Sequence, residues 1–278
     1  MSPGIHDLPV EADSPLLSSA RVTIWQRTWW RGWIVPIVLL VIWQTLGQVG
    51  FFPRNLLPTP SAVLSTLQGL TQTGEIWGHI GITLQRVAIG FVLGSAAATG
   101  LGVLTGYSRW LFQLLDPLLQ ALRSIPSLAW VPLFILWMGI YETSKVVLIA
   151  VGVFFPVYLN LVSGIQTVDR KLVEVGRIYR LKPYQLMIRV FFPATLPAYM
   201  VGLRGGLGLG WMFVVAAELM GASQGLGYLL VDGQTTGRAD LTIASILLFA
   251  IFGKATDALI AAGSHRLLYW QDAYVARG

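Results

Sequence analysis

The 278 residues are 55% hydrophobic and only 12% charged, with a mean hydropathy of +0.66, where an ordinary soluble domain carries about a quarter charged residues. So little polar surface cannot cover a water-exposed globule; it suits an all-α integral membrane protein whose outer face meets lipid. The absence of cysteine excludes disulfide frameworks and thiolate metal sites.

Residues 1–32 are mixed and polar, from His6, Asp7, Glu11 and Asp13 to the Trp-rich stretch Trp25–Trp33. They read as a cytoplasmic tail. The acidic lead-in and the late start of the apolar run argue against a cleaved signal peptide. Six apolar segments follow within 33–265: Trp33–Val49, Thr83–Gly106, Leu111–Gly139, Val146–Ile165, Leu196–Gly221 and Leu241–Gly263. Each approaches the roughly 20 residues that cross a bilayer. The expectation is a single bundle of about six transmembrane helices, with 266–278 as a second cytoplasmic tail. The third segment, broken by Pro117, Pro126 and Pro132, reads either as one span or as a surface helix and a span.

Between the first two segments, Pro60 opens a short amphipathic pattern (Val63, Leu64, Leu67, Leu70) that predicts a helix at the outer surface. Glu75, Trp77 and His79 precede the second span. Gly225–Asp240 reads as an irregular outer loop. The histidines at 6, 79 and 265 are too scattered to form a metal centre.

Lysine and arginine set the orientation. Arg21, Arg27, Arg31, Arg109, Arg170, Lys171, Arg177, Arg180, Lys182, Arg189, Arg266 and Arg277 fall on one set of connections. Only Arg54, Lys145 and Arg238 fall on the other. Both termini are therefore expected in the cytoplasm, and topology accounts for the net charge of +6 without nucleic acid.

The most informative segment is the cytoplasmic loop 166–192. Val168, Leu172, Val175 and Tyr179 recur at i, i+4, i+7 and i+11, one apolar stripe of a helix whose other face carries Asp169, Arg170, Lys171, Glu174 and Arg177. Pro183 opens a second short helix, Tyr184–Val190, which Pro193 is expected to stop. Such a striped pair either docks in a partner's groove or lies flat on lipid headgroups.

Glu174-Val175-Gly176-Arg177-Ile178-Tyr179-Arg180, followed by Val190-Phe191-Phe192-Pro193, resembles the loop of binding-protein-dependent ABC importer permeases. The family pattern is Glu-Ala-Ala, three variable residues, Gly, nine variable residues, Ile, any residue, Leu-Pro. Arg180 stands where the family usually has glycine, at a cost of about 1 kcal/mol if the left-handed turn is kept. Leu57-Pro58-Thr59-Pro60, Leu136-Trp137-Met138-Gly139, Phe155-Pro156-Val157-Tyr158-Leu159-Asn160, Gly202-Leu203-Arg204 and Gly225-Leu226-Gly227-Tyr228 resemble the sulfonate, taurine and nitrate permeases. Ala217-Glu218-Leu219-Met220-Gly221-Ala222-Ser223 points to the aliphatic-sulfonate branch.

The resemblance implies a type I importer permease in a bacterial inner membrane, working as a homodimer. One ATPase subunit would sit under each half, with a periplasmic or lipid-anchored binding protein delivering a small organic anion. Glu174, Val175, Gly176, Arg177, Tyr179, Arg180 and Pro183 would form the ATPase-coupling surface, Glu174 touching the ATPase directly. This chain would bind no cofactor of its own, ATP and magnesium being used by the partner.

Charged residues at membrane depth are functional candidates by default. Lys254 and Asp257, three apart on one face, are expected to neutralise each other. Arg86 and Arg123, near span ends, are expected to snorkel. Arg204, Arg123 and Glu218 are the candidates for an anion path, Arg204 first. Two rival classes fit less well. An intramembrane enzyme needs clustered metal ligands or a nucleophile, and Gly253-Lys254 lacks P-loop spacing; an ion-coupled transporter needs an internal inverted repeat.

Overall fold

The computed structural model describes residues 31–53, 55–126 and 129–269, and the side chains of 31–33 are not among what it describes. Most of the expected N-terminal tail, with His6 and the Trp25–Trp30 cluster, and the C-terminal residues from 270 onward lie outside that range.

Residues up to Ser61 form one unit and Ala62 onward a second. The first holds α1 (Arg31–Gln48), whose run Ile34–Gln48 is apolar throughout its length apart from its last turns. Its end is closed by the Gln44 side chain, which accepts from the Ser61 backbone N–H at 3.2 Å and donates to the Ser61 hydroxyl at 3.1 Å.

The second unit begins in α2 (Pro60–Thr73), the short helix expected from Pro60. It continues through α3 (Glu75–Tyr107), α4 (Arg109–Ser124), α5 (Trp130–Met138), α6 (Glu142–Gln166), α7 (Arg170–Ile178), α8 (Pro183–Leu186), α9 (Phe192–Leu219), α10 (Leu226–Thr235) and α11 (Ala239–Leu267). Four of its helical stretches, Glu75–Tyr107, Glu142–Gln166, Pro183–Leu219 and Ala239–Leu267, are each long and apolar enough to cross a membrane. Their outward side chains, among them Val92, Leu104, Val201 and Leu259, are exposed, as a lipid-facing surface requires.

Glycines dictate how these helices meet. A Cβ at Gly94 would stand 2.4 Å from the Ala150 carbonyl oxygen, and one at Gly102 2.9 Å from Leu161. The α3 and α6 backbones therefore approach closely, as small residues permit in membranes. Contact positions rise together along both helices (Gly90 at Ile149, Gly106 at Ile165), so α3 and α6 are parallel. The chain from Tyr107 to Glu142 must then return the full length of the bundle, and α4 and α5 make that return. This resolves the third apolar segment: it is two helices, interrupted after Ser124, with Pro126 beyond the first helix end. Helix α9 runs antiparallel to α6, with Gly202 at Asn160 and Gly210 at Val153. The core lies along this triple contact, where Ile149, Val153, Val157, Phe213 and Val214 are buried.

Three boundaries differ from expectation. The helix after α2 begins at Glu75, eight residues before Thr83, so Trp77 and His79 lie inside it. Residues 226–235, read as loop, form α10, because Leu226 and Leu229 reach a second apolar cluster with Ile76, Ile80 and Leu241. Pro193 stops nothing. Met187–Phe191 widens into a π turn in which the Phe192 N–H bonds the Met187 carbonyl, and the helical path runs on from Pro183 to Leu219. Proline lacks an N–H and its ring crowds the carbonyl four residues back; the wider turn accommodates both.

Candidate functional site: the 166–192 loop and the ions between the helices

The loop folds as two helices at an acute turn. Asp169 caps α7 by accepting from the Lys171 N–H at 2.9 Å. At the other end the Leu181 N–H bonds the Gly176 carbonyl at 3.1 Å and the Arg180 N–H bonds the Arg177 carbonyl at 2.9 Å. Those two bonds define a Schellman ending, which places Arg180 at the left-handed position. Its φ is 52°, and it is the one non-glycine residue with positive φ among the described residues. The turn that the family makes with glycine is kept by an arginine. The chain re-enters helix at Pro183, where the Gln185 side chain accepts from the Lys182 N–H at 2.9 Å.

Gly176 is the pivot of the pair. It is buried against α8, and a Cβ there would stand 2.5 Å from Leu186 Cδ1. Glu174, Val175, Arg177, Tyr179 and Pro183 all remain exposed. Of the predicted stripe, Leu172 is 50%, Val175 49% and Tyr179 77% exposed, and Ile178 on the same helix 78%. Leu172, Val175, Gly176 and Tyr179 line an open groove of about 650 Å³ with Leu181, Arg189, Val190 and Pro193. Exposed apolar side chains on so short a polar helix are not consumed by this chain's own core.

The opposite end of the bundle gathers charges that the sequence scatters from Arg86 to Glu218, 132 residues apart. Arg86, 3% exposed, does not snorkel to an interface. Its guanidinium donates to both Glu142 oxygens at 2.6 and 2.7 Å, to Glu218 Oε1 at 2.7 Å and to the Gln224 carbonyl at 2.7 Å. Glu218, 1% exposed, also accepts from the Thr83 hydroxyl at 2.8 Å and from the Gly227 N–H at 2.7 Å. That last contact sets the carboxylate on the N-terminus of α10, where a negative charge is favoured. It requires glycine: a Cβ at Gly225, with φ 127°, would meet Glu218 Oε1 at 2.5 Å, and one at Gly227 would meet Glu218 Cβ at 2.5 Å. Lys145 adds a bond to Glu142 at 3.0 Å. His79 accepts from the Gly225 N–H at 3.0 Å and stacks on Tyr228 at 5.6 Å. The tie from the start of α3 to α6, α9 and α10 was not foreseen from the sequence, although Glu218 and Gly225–Tyr228 had both stood out there.

Arg204 is bound in a fork to Asp257 of α11, at 2.9 and 3.0 Å. Lys254 stands 3.9 Å from the same carboxylate and is 81% exposed. The pair expected within α11 is thus mainly a pair between α9 and α11. Bidentate geometry explains why arginine wins the carboxylate over a lysine on its own helix. Arg123 ends α4 and is exposed. No cluster of three metal-ligating side chains occurs among the described residues.

A helical bundle with apolar outward faces that pairs Arg86, Glu218 and Arg204 internally yet leaves a striped helix pair exposed at one end is built as the membrane subunit of a larger transport machine. The sequence agrees. Residues 90–269 match the family described as binding-protein-dependent transport system inner membrane component, and the chain belongs to that family: it is a multi-pass inner-membrane permease component of an ABC transporter, a transport subunit and not an enzyme. It is 42% identical over 246 residues to the putative aliphatic sulfonates transport permease protein SsuC of Bacillus subtilis, covering 88% of this chain and 89% of that one. Against the protein of the same name in Escherichia coli the identity is 39% over 242 residues, covering 87% and 92%. The taurine transport system permease protein TauC of Escherichia coli is 31% identical over 240 residues, covering 84% and 86%.

Proposed function

We propose that this chain forms the membrane path of an importer for small organic sulfonates. It works as a homodimer with both termini in the cytoplasm, a separate ATPase under each half, and an extracytoplasmic or lipid-anchored binding protein delivering substrate. The observation that carries the coupling part is the exposed stripe Leu172–Val175–Tyr179 on a helix that is anchored beside the stripe, where Gly176 packs on Leu186. A helix held at one close contact, with apolar side chains left exposed next to it, suits transmission of a push from a docked partner. The short π turn at Met187–Phe191 joins this pair directly to the span α9, so movement of the loop is delivered to a helix of the core.

Two relatives near 40% identity named for aliphatic sulfonates support that substrate class. Taurine, an aminosulfonate, is the second reading, favoured by the likeness to a taurine permease. Of the three path candidates, Arg204 already has its charge cancelled by Asp257 and Glu218 is enclosed with both oxygens bonded. Arg123 is left as the cation available to an anion.

Two measurements test the reading. Uptake of labelled butanesulfonate by cells with and without this gene, with taurine and nitrate as competitors, should be abolished by deletion and resist nitrate. Uptake unchanged in the deletion strain, or blocked by nitrate, removes the sulfonate assignment. For the loop, Glu174→Arg should strip the ATPase from the purified complex while the permease keeps its melting temperature, since Glu174 is exposed and has no structural load to carry. Undiminished co-purification together with normal uptake would sink the coupling role.

A further inference from the structure

The helix α4 carries a pattern of its own. Arg109, Gln113, Asp116, Gln120 and Arg123 follow at i, i+4, i+7, i+11 and i+14, which lays one polar stripe along the helix. All are exposed except the half-buried Asp116. Yet α4 is part of the return crossing between the parallel helices α3 and α6. A polar stripe on a helix at membrane depth faces protein or a water-filled cavity, not hydrocarbon.

The stripe ends at a cavity. Arg123, Pro126 and Trp130 line it from one stretch of the sequence and Gly152, Phe155, Pro156 and Phe213, the wall, from others, around about 440 Å³, the size of small-molecule sites. Gly152 is needed there, because a Cβ would stand 2.2 Å from the Phe213 ring. The wall sits halfway along α6: from Gly152 back to Glu142, and from Pro156 on to Gln166, ten residues remain, about 15 Å of helix each way. The wall is therefore remote from both ends of α6. Among the described residues Arg123 makes no ion pair, whereas Arg86 and Arg204 each hold a carboxylate.

We propose that this cavity is the permease's own binding station for an amphipathic monoanion. The Arg123 guanidinium takes the anionic head, and the half-buried Trp130 and Phe155, with Phe213 behind them, take a short alkyl tail. The α4 stripe is the wet track to it. An unpaired cation beside aromatic faces at mid-depth is complementary to an alkanesulfonate and to neither an inorganic cation nor a neutral sugar. Asp116, seven residues and about 10 Å back along the helix, opposes an anion on the same track. That keeps the station weak, as conduction demands. The inference rests on the substrate class proposed above and adds the residues and the depth at which the permease itself meets it.

The test uses the complete importer (permease, ATPase and binding protein) in vesicles, with labelled ethanesulfonate and hexanesulfonate. Arg123→Gln should lower uptake of both by about tenfold or more, the loss of one charged contact, while Arg123→Lys keeps an intermediate rate. Phe155→Ala should change the hexane-to-ethane ratio by about threefold or more, on the scale of one or two methylenes in an apolar pocket. One binding protein delivers both chain lengths, so a change in their ratio belongs to the permease. If Arg123→Gln fails to assemble, the Phe155→Ala ratio decides. Assembled Arg123→Gln with wild-type uptake, or an unchanged ratio in Phe155→Ala, overturns the station. So does a defect that appears in phosphatidylglycerol vesicles and vanishes in phosphatidylcholine, which would assign Arg123 to lipid phosphate. Wild-type importer that carries nitrate and no alkanesulfonate refutes the substrate reading and the alkyl half of the station; nitrate uptake by Arg123→Gln then decides the guanidinium half.

Discussion

The two ends of this bundle handle charge and apolar surface in opposite ways. At the Glu218 end, ions and glycines are brought inside, and four of the five Arg86 N–H donors and both Glu218 oxygens are bonded. At the loop end, Glu174, Arg177, Leu172 and Tyr179 are arranged on a rigid helix and left facing out. The first arrangement fixes helices against one another; the second keeps a surface in reserve for another molecule. A residue's partner count within the chain, more than its chemical type, separates structure from function in this protein.

The sharpest way to break that contrast is to open the satisfied end. Glu218→Ala leaves the buried Arg86 with the Gln224 carbonyl and one carboxylate, that of the exposed Glu142, and strands the Gly227 N–H. Removing one partner of a buried ion pair costs about 3–5 kcal/mol. The expected result is a large fall in melting temperature of the purified permease, with loss of the folded protein from membranes. Because replacing both ions by apolar groups is far cheaper than removing one, Arg86→Met with Glu218→Leu should recover much of the loss. A double variant no better than Glu218→Ala would show that the cluster acts through its hydrogen bonds to α10 and not through the charge pair.

At the reserved end the effect of a comparable change should be local. Gly176→Ala forces a methyl within 2.5 Å of Leu186 Cδ1, an overpacking cost of about 1–3 kcal/mol. Since α7 can tilt away from α8 without disturbing the core, most of that cost should appear as misplacement of the docking stripe. Co-purified ATPase should fall while the melting temperature of the permease alone changes little. A large melting shift with the ATPase still bound would mean that the helix pair is structural after all.

These regions also differ in how far the sequence revealed them. The loop was readable because its signals are local: the spacing Leu172–Val175–Tyr179, the small residue at 176, and Pro183 opening the second helix. The clamp was not, because Thr83, Arg86, Glu142 and Glu218 meet only through the parallel run of α3 and α6 and the antiparallel return of α9. Nothing in the spacing of Arg86 and Glu218, 132 residues apart, announces a 2.7 Å contact. Arg204 was singled out as a cation among glycines, and the same glycines bring α9 close to its neighbours; its partner Asp257 was assigned instead to the lysine one turn away on its own helix. The continuation through Pro193 was hidden for another reason. A proline reads as a stop unless the preceding turn widens, as Met187–Phe191 does, and no residue preference announces that widening.

The smallest effect tests the joint between the two halves of the loop. Arg180 holds a left-handed conformation, φ 52°, that costs a residue with a Cβ about 1 kcal/mol relative to glycine. The Schellman bonds to Gly176 and Arg177 hold it there. Arg180→Gly should therefore raise the melting temperature slightly, or leave it unchanged where the added freedom of the unfolded chain offsets the relief of strain. ATPase binding should be retained, because the backbone path is the same. If docking weakens while stability rises, the exposed Arg180 side chain makes a partner contact of its own, and the strain is tolerated for the sake of that contact.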